Sequence, residues 1–251
     1  MSLTRQAPSI GSDLFDRAGT AVANVGASRS KPQLVDNLRY AANMLGADKS
    51  FFACFIHDRE GFDSYRFLLA CDPGWFYEYE KNECHLSDPW LTYARQHCQP
   101  VPAGDIQVHG KERSTVDLAR SYGFNSTLVI PAPVSGRLSR SGMLVLASES
   151  AAFPEAESLT NVKILARSLA LEVHDRLADL LREEKLRDYR LTPLELELLR
   201  LERDGLPTKA ISRRLNASLE SIDTRFRRLN AKLGVANRQE SAHLAVEYGL
   251  I

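Results

Sequence analysis

An excess of charge of either sign is missing from this 251-residue chain: 32 Lys and Arg offset 32 Asp and Glu. Overall charge therefore points to no polyanion and no membrane surface. Cysteine is scarce, and Cys54, Cys71, Cys84 and Cys98 show no paired spacing. That excludes a disulfide-built secreted scaffold and leaves reduced thiols. No apolar run approaches the roughly 20 residues that span a bilayer, and the N-terminus lacks the basic-then-apolar pattern of a signal peptide. The expected location is cytoplasmic, with no membrane partner. Gly-x-Ser-x-Gly, a phosphate-cradling glycine loop and His-Glu-x-x-His are all lacking, and His57, His109, His174 and His243 are scattered, so no enzyme is expected. Cys84-His85 and His97-Cys98 have a separation that can suit zinc, but they lie beside a helix with no second ligand pair. Half-buried side chains are the better reading, and neither metal nor cofactor is expected.

What is present suits two domains, with 44% hydrophobic residues, enough for a core. The C-terminal stretch is the most explicit. Thr192, Pro193 and Glu195 form a capping box with proline at the first helical position, and that helix runs through Leu196, Leu199 and Arg200 to a stop at Gly205. Pro207 and Thr208 start a short helix with Ile211 and Leu215 on its apolar side. Ser218 caps a third helix, in which Ile222, Phe226, Leu229 and Leu233 share one face. Asn237 and Glu240 repeat the capping box for a fourth. Opposite the apolar stripe stand Glu220, Ser221, Thr224, Arg225, Arg227 and Arg228. Between Pro207 and Arg238, eight positive residues face only Glu220 and Asp223. A short helix, a turn and a longer helix bearing Arg and hydroxyl groups fit a DNA major groove, where Arg reads guanine or clamps phosphate. A small bundle with a solvated basic face is the plainer alternative, and the agreement of caps, lengths and charge segregation disfavours it.

This stretch, with Leu191-Thr192-Pro193-Leu194-Glu195 at its start and Lys232-Leu233-Gly234-Val235-Ala236-Asn237-Arg238 near its end, resembles the C-terminal DNA-binding domain of LuxR-type transcription regulators. The resemblance implies DNA contacts from Lys209, Arg213, Ser221, Thr224, Arg225 and Arg228. Departures from the family pattern are Leu194 for Arg, Ala210 for Glu, Ile222-Asp223-Thr224-Arg225 for Val-Lys-x-His, and Arg228 for Asn. An acid near phosphates repels DNA unless a neighbouring Arg pairs with it, so Asp223 bears on the operator and the affinity.

Residues 1–30 read as a loose leader with a short helix. Leu34, Leu38, Ala41, Ala42 and Leu45 then form a helical face. Strands are expected at Ser50–His57, Tyr65–Cys71, Ser126–Ala132 and Ser141–Ala147, with helices at Trp75–Lys81, Pro89–His97 and Ser114–Tyr122. From Pro154 to Leu186 a helical period runs through Val162, Leu165, Leu169, Val173, Leu177 and Leu180, suited to packing on a sheet or on a second copy of itself. The fold class is α+β: an α/β/α sandwich around an antiparallel sheet, then an all-α four-helix helix-turn-helix domain. Expected bounds are 1–30 leader, 31–186 ligand-binding and dimerisation domain, 187–190 charged linker and 191–251 DNA-binding domain.

Trp75 and Tyr79 lie four apart, and Asp88 precedes a helix started by Pro89. An indole N–H and a phenol donate hydrogen bonds and a carboxylate accepts one, so the trio could orient a small amide-and-ester ligand in an apolar cavity. By spacing alone, two core aromatics and an N-capping Asp are the better reading. Trp-x-x-x-Tyr with Asp-Pro nine residues on, however, resembles the autoinducer-binding domain of LuxR-type quorum-sensing receptors. The resemblance implies an N-acyl-homoserine lactone whose lactone carbonyl meets Trp75, acyl carbonyl Tyr79 and amide N–H Asp88. Two pocket positions depart: Ala103 stands where the family has Trp, and Thr127 where it has Gly. Trp90 is placed to refill the gap.

The expectation is a homodimeric, ligand-responsive transcriptional regulator. Its partners are DNA, a small-molecule autoinducer and a second copy of the chain, with RNA polymerase as a further one. The alternative is a ligand-independent regulator, or an anti-activator that pairs with another LuxR-type protein and blocks it. A phosphorylation-driven regulator ranks lower, since no acidic cluster ends a set of parallel strands.

Overall fold

The computed structural model describes residues 10–57, 63–133, 140–154 and 158–251. They divide into two compact units, with the break between Leu177 and Ala178.

The first unit is built on five antiparallel strands: β1 (Lys49–His57), β2 (Asp63–Ala70), β3 (Val101–Pro102), β4 (Ser126–Pro133) and β5 (Arg140–Ser148), in the order β2-β1-β5-β4-β3. Ala53 lies opposite Phe67 of β2 and Met143 of β5, so β1 is interior to the sheet, and Phe51, Phe52, Ala53 and Cys54 are buried on its two faces. Its alternation sends Phe51, Ala53 and Phe55 to one side and Phe52 to the other, where its ring meets His174 edge-on at 6.2 Å. Gly142 makes that possible, because a Cβ there would come within 2.5 Å of the Phe52 ring.

Two helices, α1 (Ile10–Gly26) and α2 (Lys31–Met44), pack together in this unit. Ser30 caps α2 by accepting from the Gln33 amide, and Leu34, Leu38, Ala41 and Ala42 are its buried stripe. The other side carries α3 (Pro73–Lys81), α4 (Pro89–Gln96) and α5 (Glu112–Ser121). The long helix α6 (Leu159–Tyr189) buries Leu165, Ala166, Leu169, Ala170 and Val173 within the same unit.

Three details differ from the sequence reading. The leader contains a 17-residue helix, α1, with Ala18, Ala21, Val22 and Val25 buried; small side chains gave its apolar face little weight in the sequence. β3 was not foreseen, because two residues ending in Pro102 carry no strand period; it is an edge strand, a place that tolerates proline. The charged residues after Leu186 form no separate connector, since α6 continues through them to Tyr189 before Arg190 turns at φ 45°.

The second unit holds α7 (Pro193–Arg203), α8 (Thr208–Arg214), α9 (Leu219–Leu233) and α10 (Arg238–Glu247) around Leu198, Leu199, Ile211, Ile222, Phe226, Leu229 and Ala245. Thr192, Ser218 and Asn237 each make their cap bond, whereas α8 starts after Pro207 with no side-chain cap. The Thr192 amide donates to Glu195 at 2.7 Å and the Glu195 amide to Thr192 Oγ1 at 3.2 Å. The Ser221 amide donates to Ser218 at 3.1 Å, and the Glu240 amide to Asn237 at 2.9 Å. Gly234 closes α9 at φ 74°, a conformation that side-chain-bearing residues resist. Among the described residues no helix is long and apolar enough to cross a membrane.

Candidate functional site

Trp75 and Tyr79 reach the same place because Asp72 and Pro73 start α3 just before them. Asp72 accepts from the Gly74 amide at 2.8 Å, and four residues later the next turn brings Tyr79 beneath Trp75. Both are 1% exposed. Asp88 comes to them from the start of α4. One oxygen caps that helix, accepting from the amides of Trp90 at 2.7 Å and Leu91 at 3.3 Å. The other accepts from the Tyr79 hydroxyl at 2.8 Å. One side chain thus caps α4 and accepts from Tyr79 as well. Burial pushes the Asp88 carboxyl up to about 6, against the opposing pull of Tyr79 and the two amides. Burial, then the Asp88 charge, raises the Tyr79 phenol far above its usual range, so it remains a donor.

Around the trio is a nest of rings. Trp75 stacks on Phe51 at 4.6 Å and lies 5.2 Å from Tyr79 and 5.3 Å from Phe124. Trp90 is also buried, 6.4 Å from Phe124. The indole nitrogens of Trp75 and Trp90 are both buried with no hydrogen-bond partner. Ala103 packs at the margin of the same cluster. Thr127 is buried on β4, on the sheet face of Val129 and opposite Ala147, its hydroxyl 3.5 Å from the Phe124 carbonyl. Phe51 and Phe124 are contributors that motif reading passed over. The alternation of β1 was the available signal for the first, and nothing in the spacing marked the second.

An open groove of about 750 Å³ lies elsewhere in this unit, lined by Arg39, Lys49 and Arg120 with Asp48, Asp72 and Glu149. Its cations are already engaged: Lys49 with Glu149 at 2.7 Å, Arg39 with Asp36 at 3.1 Å and Arg120 with Asp117 at 3.7 Å. Cys54, Cys71, Cys84 and Cys98 form no disulfide; Cys84 is buried and Cys98 exposed. Among the described residues no group of three His, Cys, Asp or Glu is placed to hold a metal ion.

In the second unit a surface concavity of about 450 Å³ is lined by Ser218, Glu220, Ser221, Thr224, Arg225 and Arg228. Lys209 and Arg213 are exposed on α8. Asp223 is exposed but outside the concavity, one turn before Arg227 on the same side of α9. Part of the basic surplus serves the fold. Lys232 bonds both Glu195 oxygens at 2.8 and 2.9 Å, Arg238 lies 3.3 Å from buried Glu202 and donates to Thr208, and Arg214 lies 3.6 Å from Glu197. Among the described residues no such ion pair engages Lys209, Arg213, Arg225, Arg227 or Arg228.

Residues 30–177 match the model of the autoinducer binding domain, and residues 189–245 that of the bacterial regulatory proteins of the luxR family. The chain belongs to the LuxR family. Its architecture is that of a quorum-sensing transcription regulator, an autoinducer-binding domain followed by a helix-turn-helix DNA-binding domain. No curated protein matches the sequence. Among solved structures, Escherichia coli SdiA superimposes with a TM-score of 0.74 at 17% identity, over 95% of this chain and 99% of that one. SdiA in complex with octanoyl-rac-glycerol gives 0.70 at 16%, over 98% of each. CepR2 of Burkholderia cenocepacia, an N-acylhomoserine-lactone-dependent LuxR-family factor, gives 0.56 at 15%, over 69% of this chain and 99% of that one. The likeness is one of fold: the α+β class, with a five-stranded antiparallel sheet among helices and then a helical C-terminal unit, is that of SdiA. In this chain the autoinducer-binding domain precedes the DNA-binding domain.

Proposed function

We propose that this LuxR-family chain binds an N-acyl-homoserine lactone, or a related acylated small molecule, and recognises a two-fold DNA operator as a homodimer. The observation that carries the reading is the buried Tyr79–Asp88 pair beside the unpartnered indole N–H of Trp75. A carboxylate able to accept, next to a donor with nothing to donate to, suits a head group holding both an N–H and a carbonyl. Lys209, Arg213, Arg225 and Arg228 supply phosphate and guanine contacts, with Ser221 and Thr224 between them. Pairing of protomers is supported by Ile164 and Leu171, exposed by 53% and 47% and seven residues apart on α6. Ligand acts by mass action: binding only the folded chain stabilises it by about 2.7 kcal/mol at a hundredfold excess over Kd.

The test is Asp88→Asn. Asparagine caps a helix as well as aspartate, so α4 should persist. The variant should keep its unliganded melting temperature within a few degrees and lose most of the ligand-induced rise. An undiminished rise with N-octanoyl-homoserine lactone would remove Asp88 from the site. The second reading, a ligand-independent regulator or a blocking partner of another LuxR-type protein, is favoured by one feature. The rings about Trp75 already pack on one another at 4.6–5.3 Å, a core closed without help. Operator binding equal with and without ligand would support it.

A further inference from the structure

We infer that Trp90 is a second hydrogen-bond donor of the ligand site, so that the ligand presents two separate acceptors, one to each indole. This rests on the ligand-binding reading proposed above and adds a residue to it. Trp90 is 4% exposed and belongs to the same core cluster as Trp75, Tyr79 and Phe124. Its backbone amide is held by Asp88 at 2.7 Å, so the carboxylate that fixes Tyr79 also fixes the start of the helix bearing Trp90.

Donor supply decides the point. The Tyr79 hydroxyl proton is committed to Asp88 at 2.8 Å. Among the described residues of the cluster, the donors left without an acceptor are the indoles of Trp75 and Trp90. Buried N–H groups are almost always satisfied, and leaving one unmet costs stability. The two rings that carry these donors lie against one ring, Phe124, with centroids 5.3 and 6.4 Å away, in a chain with no other tryptophan. A guest with a single carbonyl relieves only one of them. A guest with two, such as an acylated lactone with one carbonyl in its ring and one in its amide, relieves both. Ala103, packed against the same cluster, offers only a methyl group and no donor of its own. Selectivity follows: ligands with two acceptors are preferred over equally long ligands with one.

Having two tryptophans makes the test direct. In the full ¹⁵N-labelled chain the two indole N–H resonances are assigned with Trp90→Phe and followed while N-octanoyl-homoserine lactone is added. Both should move downfield, and Trp90→Phe should weaken binding about tenfold, the scale of one hydrogen bond. Movement of the Trp75 signal alone, with Trp90→Phe binding as tightly as the parent, overturns the role of Trp90 and leaves the ligand site standing. If neither signal moves with the lactone or with octanoyl-glycerol, the ligand reading itself falls, and this assignment with it.

Discussion

Asp88 shows how one residue can hold a fold together and remain poised for chemistry. Its N-cap duty is local and would exist in any helix begun by Asp-Pro. Its raised carboxyl depends on burial, which no neighbour in sequence reveals. The direction has consequences. A carboxyl raised from 3.8 to about 6 binds its proton more tightly in the folded chain than in the unfolded one. That contribution is complete below about pH 3.8 and is lost as pH rises through about 6, a difference of roughly 3 kcal/mol. A ligand N–H donated to the carboxylate favours the ionised form, so affinity for an N-acyl-homoserine lactone should rise as pH climbs from about 5 to 7. Binding near pH 5.5 should release a proton, detectable by calorimetry in two buffers of different ionisation enthalpy. A flat affinity profile would show that no N–H meets this carboxylate. An ester ligand without an N–H should show no release.

At the scale of elements, α9 separates its duties by face. Ile222, Phe226, Leu229 and Leu233 are buried beneath it, and Ser221, Thr224, Arg225 and Arg228 line the concavity on its outer side. Arg225→Ala with Arg228→Ala should leave the melting temperature nearly unchanged, weaken operator binding and reduce the salt slope by up to about two. Filter binding across salt concentrations checks it, and an unaltered slope would move the interface elsewhere. The motif cations behave otherwise. Lys232 pins α9 to the start of α7 through Glu195. Burial opposes ionisation of Glu195, but Lys232 and the Thr192 amide outweigh it and hold the carboxyl below its usual range. A lowered carboxyl stabilises above the unfolded value near 4.5, and that stabilisation is lost as pH falls through the folded value. Glu195→Gln keeps the capping-box partner. It should cost under about 1 kcal/mol at neutral pH, and the difference from the parent should shrink in acid, as thermal melts at the two pH values would show.

For the whole molecule, an autoinducer-binding domain is followed by a DNA-binding domain, and pairing of two protomers is what a two-fold operator would require. Ile164→Glu with Leu171→Glu places charge on the exposed apolar side of α6. The variant should sediment as a monomer and bind a palindromic duplex at least about tenfold more weakly, while a persisting dimer would place the interface elsewhere.

Much of this was legible in the residues. Caps, glycine stops and the 3.6-residue period of α7 to α10 are local rules, decided within a few positions along the chain, and they determined the helix-turn-helix by themselves. Spacing alone favoured two core aromatics and an N-capping Asp at Trp75, Tyr79 and Asp88, and it was the family resemblance that joined them as a trio. Other features were not legible. The sequence holds eight positive residues between Pro207 and Arg238; only packing decided that Lys232, Arg214 and Arg238 pair with Glu195, Glu197 and Glu202 while others take no such partner among the described residues. Only packing decided that the Tyr79 hydroxyl donates to Asp88, that Trp90 and Trp75 meet the same ring, and that α1 is part of the first unit. Caps and periodicity are interactions between near neighbours, so the chain carries them in its order. Burial, pairing of distant charges and loss of solvent depend on residues far apart in sequence, and they exist only once the fold has closed.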